Sequence, residues 1–280
     1  MFLVARGCGY PVLFVHGIPT SCALWNGVIG RLSGQFQCIA LDLPGLGRSA
    51  NTPHGFRNFD QLAAGIEDIR IEHRIEKWHM VGHDAGCAIA VHYAHRFQHR
   101  VGRLALLSPS MFPELKPFSL FEVLRKPVLG ELLAPAINLL FWNVAMRLAL
   151  SGSRDRSDMV KKFQSPFRGL PGSWRLMSLL RWGHPAEVLA SIPKLLPEIL
   201  TPTLVFHGSK DPAVPEAFAR RACELMPNSE LVLLDSGHFL PANEPAAVAQ
   251  ALARFFASEE SEPLGSMVAA AGAFQNQSLR

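Results

Sequence analysis

Asp84, Asp211 and His238 each stand at a glycine-bearing turn just past a short apolar run, in Gly82-His83-Asp84-Ala85-Gly86, Gly208-Ser209-Lys210-Asp211-Pro212 and Ser236-Gly237-His238. Two carboxylates and an imidazole suffice for covalent catalysis followed by hydrolysis: one group attacks, the imidazole activates water, and the second carboxylate orients the imidazole. Gly82 and Gly86 supply the small residues that a sharp strand-to-helix turn needs, and such a turn lifts Asp84 above a sheet at a helix N-terminus. A helix N-terminus favours an anion, which predicts that Asp84 stays ionised at neutral pH. Each residue alone has a plainer reading: Asp is a preferred helix cap and turn residue, and a loop histidine needs no chemistry. The joint pattern carries the weight.

A fourth piece, His16-Gly17-Ile18-Pro19, follows another apolar run. Its backbone N–H at Ile18, with that of Ala85, would form an oxyanion or leaving-group hole, where a lone Gly-Pro turn would do nothing. Two other patterns carry less. The loop at residues 42–49 has glycines but no Walker lysine, so it is a poor phosphate cradle. His92, His95 and His99 have metal-ligand spacing on one helix face, yet no acidic or thiol partner is evident, and a solvated helix surface accounts for them. No metal or cofactor is implied.

The elements that must position these groups are legible as four apolar runs, at residues 12–15, 38–41, 78–81 and 104–107, of the kind that forms buried parallel strands. Helix-spaced segments at 24–32, 61–72 and 85–97 lie between them, and two more strands follow at 203–206 and 230–234, with helices at 215–225 and 245–257. The pattern predicts an α/β fold, a mostly parallel sheet flanked by helices with an inserted helical cap. Its core would comprise residues 1–111 and 201–258, its cap and return helix residues 112–200, and its tail, outside the packed domain, residues 259–280. Prolines 127, 135, 166, 171 and 185 are expected to break the cap helices. The most lipid-like stretch, residues 128–150, contains Glu131, Pro135, Asn138, Asn143 and Arg147 and is read as a poor match to a membrane span.

Composition agrees with this. The chain has 280 residues, 49% apolar and 18% charged, enough for one compact domain carrying an insertion and unlike a disordered or collagenous chain. A net charge of +4 is too small to suggest a nucleic-acid partner. From residue 112 to 184, eleven Lys or Arg face five Asp or Glu, so the basic excess sits in the expected cap, as a solvated face or a source of electrostatic steering. Five scattered cysteines without a CxxC pair read as free thiols of a reducing compartment, and the N-terminus lacks signal-peptide order, so a cytoplasmic setting is expected.

Across about residues 1–257, the stretch from His16 to Ser21 with Trp25, the 42–49 loop, the turn around Asp84, Asp211 and Gly237-His238 together resemble the α/β-hydrolase superfamily. They resemble in particular its aspartate-nucleophile branch: haloalkane dehalogenases, haloacetate dehalogenases and soluble epoxide hydrolases. The resemblance implies that Asp84 attacks carbon, His238 activates the water that hydrolyses the covalent intermediate, and Asp211 orients His238. A carboxylate adding to an ester carbonyl must expel a far more basic alkoxide, whereas attack at alkyl carbon gives a stable ester. The expected substrate is therefore a small, mostly apolar halide or epoxide. Two alternatives stay open: an ester, lactone or thioester hydrolase with Asp84 as general base, and a ligand receptor without turnover.

The chain departs from each subfamily. Haloalkane dehalogenases commonly hold the halide with an Asn where this chain has Ile18 and a Trp where it has Ala85. Haloacetate dehalogenases place Arg after the nucleophile, where this chain has Ala85, Gly86 and Cys87. Epoxide hydrolases use cap tyrosines, and the only tyrosines here, Tyr10 and Tyr93, lie outside the cap. The cap does contain Trp142, Trp174, Trp182 and His184, each able to present an N–H to a leaving group, although packing is the commoner role of large aromatics. Phe112, Phe118, Phe121, Phe141, Trp142, Phe163 and Phe167 are candidates for cap packing or pocket lining. The family normally has strands before the 12–15 run, and here only residues 2–5 remain as a partner.

Overall fold

The apolar runs assemble into one seven-stranded sheet, ordered β1-β3-β2-β4-β5-β6-β7, in the computed structural model, which describes residues 1–50, 58–116, 119–181 and 184–257. The strands are β1 (Phe2–Arg6), β2 (Tyr10–Val15), β3 (Phe36–Asp42), β4 (Trp78–His83), β5 (Val101–Leu107), β6 (Thr203–Gly208) and β7 (Ser229–Leu234). All neighbours are parallel except β1, which runs antiparallel along β3 with Phe2 opposite Asp42. Residues 12–15 of β2 and 104–107 of β5 are wholly buried, so these strands read as unbroken apolar runs because helices cover both faces of the sheet.

Helices α1 (Asn26–Leu32), α2 (Phe59–Glu72) and α3 (Ala85–Arg96) fill the early crossovers, while α11 (Glu216–Leu225), α12 (Leu240–Asn243) and α13 (Pro245–Ala257) follow β6 and β7. The segment read as a helix at 24–32 begins as a 3-10 turn, Cys22–Trp25, whose first N–H groups are met by the Ser21 hydroxyl accepting from Ala23 N.

Between β5 and β6 the chain leaves the sheet and forms α4 (Ser119–Arg125), α5 (Leu129–Leu140), α6 (Met146–Ala149), α7 (Arg156–Gln164), α8 (Gly169–Leu180), α9 (Pro185–Val188) and α10 (Ile192–Leu195). One expectation is corrected in this region. Pro135 lies inside α5 instead of ending it, and α5, one π turn at Phe141–Ala145 and α6 run on as a single 21-residue helix. A mid-helix proline costs about 3 kcal/mol. That cost is offset by burying Ala134 and Ile137 and by Asn138, whose side chain donates to Phe167 O at 2.7 Å and Ser173 Oγ at 3.0 Å and accepts from Trp142 Nε1 at 2.8 Å. By length and composition alone the continuous helix is apolar enough to cross a membrane, yet Phe141, Trp142 and Met146 on its inner face are packed into the core, in keeping with the reading of this stretch as a poor span. Pro166, Pro171 and Pro185 instead sit in first turns, where a missing N–H costs nothing. Phe118, Trp182 and residues 259–280 lie outside the described residues.

Candidate active site

Asp84 sits at the junction of β4 and α3 with φ 53° and ψ −124°, a left-handed conformation that a non-glycine side chain adopts only under constraint. Backbone bonds at 3.0 Å from Asp84 N to Leu107 O and from Cys87 N to Asp84 O hold it there. The turn tolerates this because its glycines leave no side chain to clash: a Cβ on Gly82 would lie 2.6 Å from Gly86 O. Gly17 has the same role across the gap, since a Cβ there would fall on the Asp84 carboxylate.

Ile18 N–H donates to Oδ1 of that carboxylate at 3.0 Å, and the Ala85 N–H and the Ser110 hydroxyl are the other dipoles beside it that favour its charged form. Of the two N–H groups expected to form a hole, that of Ile18 points at an oxygen of Asp84 itself. Burial pushes the Asp84 carboxyl above its ordinary pKa, against His238, the two N–H groups and Ser110, which all pull it down. Burial, not the helix end, decides the direction.

His238 follows β7 on a short loop and points its ring between the two aspartates. Its Nδ1 donates to Asp211 Oδ2 at 2.9 Å, and its Nε2 lies 3.8 Å from Asp84 Oδ2, too far for a direct bond. Burial lowers the imidazole pKa, but the Asp211 hydrogen bond and the charges of Asp211 and Asp84 outweigh burial and leave it raised. Asp211, with a fully buried side chain, accepts from Ala213 N at 2.8 Å and Val214 N at 3.0 Å through Oδ1. Burial alone would raise its pKa, yet His238 and these two N–H groups bring it to about 2. It stays an anion, and its bond to Nδ1 sets the tautomer in which neutral His238 turns its Nε2 lone pair toward Asp84.

Several supporting residues gave little sequence signal. His83 Nε2 lies 3.0 Å from the His238 carbonyl, and the Ser108 hydroxyl donates to the same oxygen at 3.3 Å. Burial, followed by the nearby His238 charge, drops the His83 pKa to about 3, so it is a neutral clamp on the loop. Ser110, just after β5, was visible only as one serine in Ser108-Pro109-Ser110. His16 is fully buried and accepts from Leu43 N at 3.0 Å through Nε2 while Nδ1 faces Gly17 O at 2.8 Å, an arrangement that fixes its neutral tautomer. Asp42 fastens the 42–49 loop through bonds from Cys22 N and Arg48 N.

A cavity of about 270 Å³ opens over Asp84, Ser110 and His238, with Ile18, Phe59, Phe121, Phe141, Met146, Leu179 and Val214 among its apolar walls and Lys116 and Arg125 as its cations. Of the aromatic candidates, Phe121 and Phe141 line it, while Phe112, Trp142, Phe163 and Phe167 are packed in the core. The N–H groups proposed for a leaving group are elsewhere: Trp142 donates to Asn138, Trp174 is surface-exposed, and His184 Nδ1 accepts from Ala186 N. His92 and His95 each face one carboxylate, Asp60 at 3.0 Å and Glu198 at 2.8 Å. Among the described residues, no cluster of three or more such side chains could hold a metal ion.

The family model described as alpha/beta hydrolase fold matches residues 10–245. The chain is similar to the haloalkane dehalogenase of Sphingobium indicum, 28% identical over 278 residues that cover 91% of each chain. It is likewise 28% identical to that of Mesorhizobium japonicum over 276 residues, 90% of this chain and 86% of the relative. Among solved structures it is similar to a haloalkane dehalogenase from Bradyrhizobium elkani, with TM-score 0.74, 25% identity, and 96% of this chain and 94% of that one covered.

Proposed function

This chain belongs to the alpha/beta hydrolase fold family, and we propose that it is a dehalogenase-like hydrolase that displaces a leaving group from an alkyl carbon through an ester on Asp84. The free oxygen, Oδ2, attacks the sp³ carbon of a small, mostly apolar halide or epoxide, and the carbon–halogen or ring carbon–oxygen bond breaks. A halide departs as the anion; a ring oxygen stays attached and takes a proton from solvent water. Water between Asp84 and His238 then gives a proton to Nε2 and adds to Cγ of the ester. The oxyanion develops on Oδ1, where the Ile18 N–H already points, collapse releases the alcohol with the proton returned from His238, and Asp84, regenerated as the acid, gives its remaining proton to solvent. Asp211 holds the imidazole in the required tautomer, and the helices between β5 and β6 serve as a cap that closes the apolar cavity.

The observation that carries this reading is the Ile18 N–H donating at 3.0 Å to an oxygen of Asp84 itself. In an esterase that attacks a substrate carbonyl, that donor must be free for the substrate's oxygen. Here the tetrahedral carbon that the donor would stabilise is Cγ of the nucleophile, and such a centre arises only after Asp84 has been alkylated. The resemblance to haloalkane dehalogenases supports the same chemistry. Turnover in heavy-oxygen water followed by peptide mass mapping tests it. The expected result is label accumulating in the Asp84 carboxylate over multiple turnovers, with a His238→Ala variant retaining the alkyl adduct. Label confined to product would mean that Asp84 acts as a general base.

A further inference from the structure

The continuous helix Leu129–Ala149 has a mean hydropathy of 1.4 over its most apolar stretch, only 33% of which is buried. One face belongs to the fold: Phe141, Trp142 and Met146 are buried, and Phe141, Met146 and Ala149 line the cavity. The other face carries Leu129, Leu132, Leu139, Leu140, Val144 and Leu148, all exposed, with Leu132 and Leu148 at 73% and 72%. Leu129 and Leu132, and then Leu140, Val144 and Leu148, recur at three- and four-residue spacing with Leu139 beside them, which places them along one side of the helix. A helix apolar all round is normally buried, and a stripe running the length of a surface helix marks an interaction site. The adjacent α8 exposes Leu170 and Trp174 as well.

Charge around the stripe tells what covers it. From residue 123 to 156 the acidic residues are Glu131, which is already paired with Arg181, and Asp155, which lies between Arg154 and Arg156, against five Lys or Arg. Cations bracket the stripe: Arg125 and Lys126 precede it, and Arg147, Arg154 and Arg156 lie at or beyond its far end, the last three in no ion pair among the described residues. A second copy packed on this face would bring one basic frame against another. An anionic lipid surface would instead meet leucines with acyl chains and arginines with headgroups. The helix cannot span a bilayer, because its inner face is part of the folded core.

We propose that this face docks the protein on the surface of an anionic lipid bilayer, with helix Leu129–Ala149 lying in the interface plane. The cavity then sits one helix diameter, about 10 Å, from the acyl chains. The inference does not depend on the reaction assigned to Asp84, and its test reads binding only. Wild-type protein is floated with vesicles of phosphatidylcholine containing phosphatidylglycerol and, separately, of phosphatidylcholine alone. Expected is flotation with the anionic vesicles, weakened by high salt and reduced at least about tenfold in a Leu139→Glu/Leu148→Glu variant. An Arg154→Glu/Arg156→Glu variant should lose the preference for anionic over neutral vesicles. Both pairs sit in or beside exposed positions, and unchanged circular dichroism melts would show that the fold is kept. Three results would overturn the proposal: wild-type protein that does not float, the leucine variant floating as well as wild type, or a wild-type dimer in sedimentation that the leucine variant dissociates.

Discussion

The strand ends around Asp84 and the helices inserted between β5 and β6 solve opposite problems. At the strand ends the groups around Asp84 have fixed partners: Ile18 N–H on Asp84, three donors on Asp211, and two side chains on the His238 carbonyl. In the insertion, polar partners are few, Asn138 is the main buried hub, and the long helix is apolar on both faces. A reacting carboxylate needs fixed dipoles at known positions, and parallel strand ends provide them cheaply because backbone N–H groups already converge there. An apolar substrate needs shape and access instead, which helices supply with side chains that change without disturbing the sheet. Under the function proposed above, chemistry and selectivity would be held by separate parts of one chain, so a change in one should leave the other intact.

The sharpest way to break that separation is Asp84→Asn. The amide oxygen can still accept from Ile18 N–H, so the fold should survive, but an amide is no nucleophile. Turnover is expected to fall by roughly three to four orders of magnitude, as read by steady-state kinetics alongside circular dichroism. Residual activity near wild type would move the chemistry away from the strand ends. Asn138→Ala probes the other side. It leaves the Trp142 N–H and the Phe167 carbonyl unpaired in a buried site, which should cost about 2–3 kcal/mol and lower the melting temperature by several degrees. The kcat of the folded protein should stay within about twofold if the two regions are independent.

The same division explains what could be read from the sequence. The strands, the tight turn and the order of Asp84, Asp211 and His238 were legible because backbone-driven features leave short, local marks: apolar runs, paired glycines, a residue type at a turn. Ser110, His83 and Ser108 were not, since their roles depend on where β5 and the His238 loop meet in space. In the insertion, proline at 135 was a misleading mark. Its local penalty is real, but the burial around Ala134, Ile137 and Asn138 that outweighs it comes from other helices, α4 just before it and α8 further along the chain. That the Ile18 N–H meets an oxygen of Asp84 could only be seen in three dimensions.

A smaller effect should come from Ser110→Ala. Its hydroxyl is one of the groups that pull the Asp84 pKa down against burial, so its loss should push that pKa further up and reduce the fraction of nucleophilic carboxylate at low pH. A hydrogen bond to a charged group contributes about 1.5–3 kcal/mol, so kcat should drop roughly tenfold or more. Ser110→Thr, which keeps the hydroxyl, should restore most of it. An equal loss in both variants would mean that the site needs the small side chain and not its hydrogen bond, and stopped-flow measurement of the alkylation step would separate the two.

The finest test is a pH comparison between two states of the same imidazole. In the free enzyme the raised pKa of His238 rests, against burial, on the Asp211 hydrogen bond and on the charges of Asp211 and Asp84. Once Asp84 is an alkyl ester its charge is gone, so one raising influence disappears while the Asp211 bond remains. Only neutral His238 can take a proton from water, so ester hydrolysis should fall about tenfold per pH unit below the relevant pKa. That pKa, read from the decay of the trapped ester, should lie below the value that nuclear magnetic resonance finds for His238 in the free enzyme. Stability follows the complementary signs. The His238 contribution is complete below its ordinary value of 6.5 and fades as pH rises through the raised one. The Asp211 contribution is complete above 3.8 and is lost as pH falls toward about 2. Asp211→Asn removes the bond common to both states and should lower both values together. If it lowered only the free-enzyme value, Asp211 would not be holding the imidazole while the ester is hydrolysed.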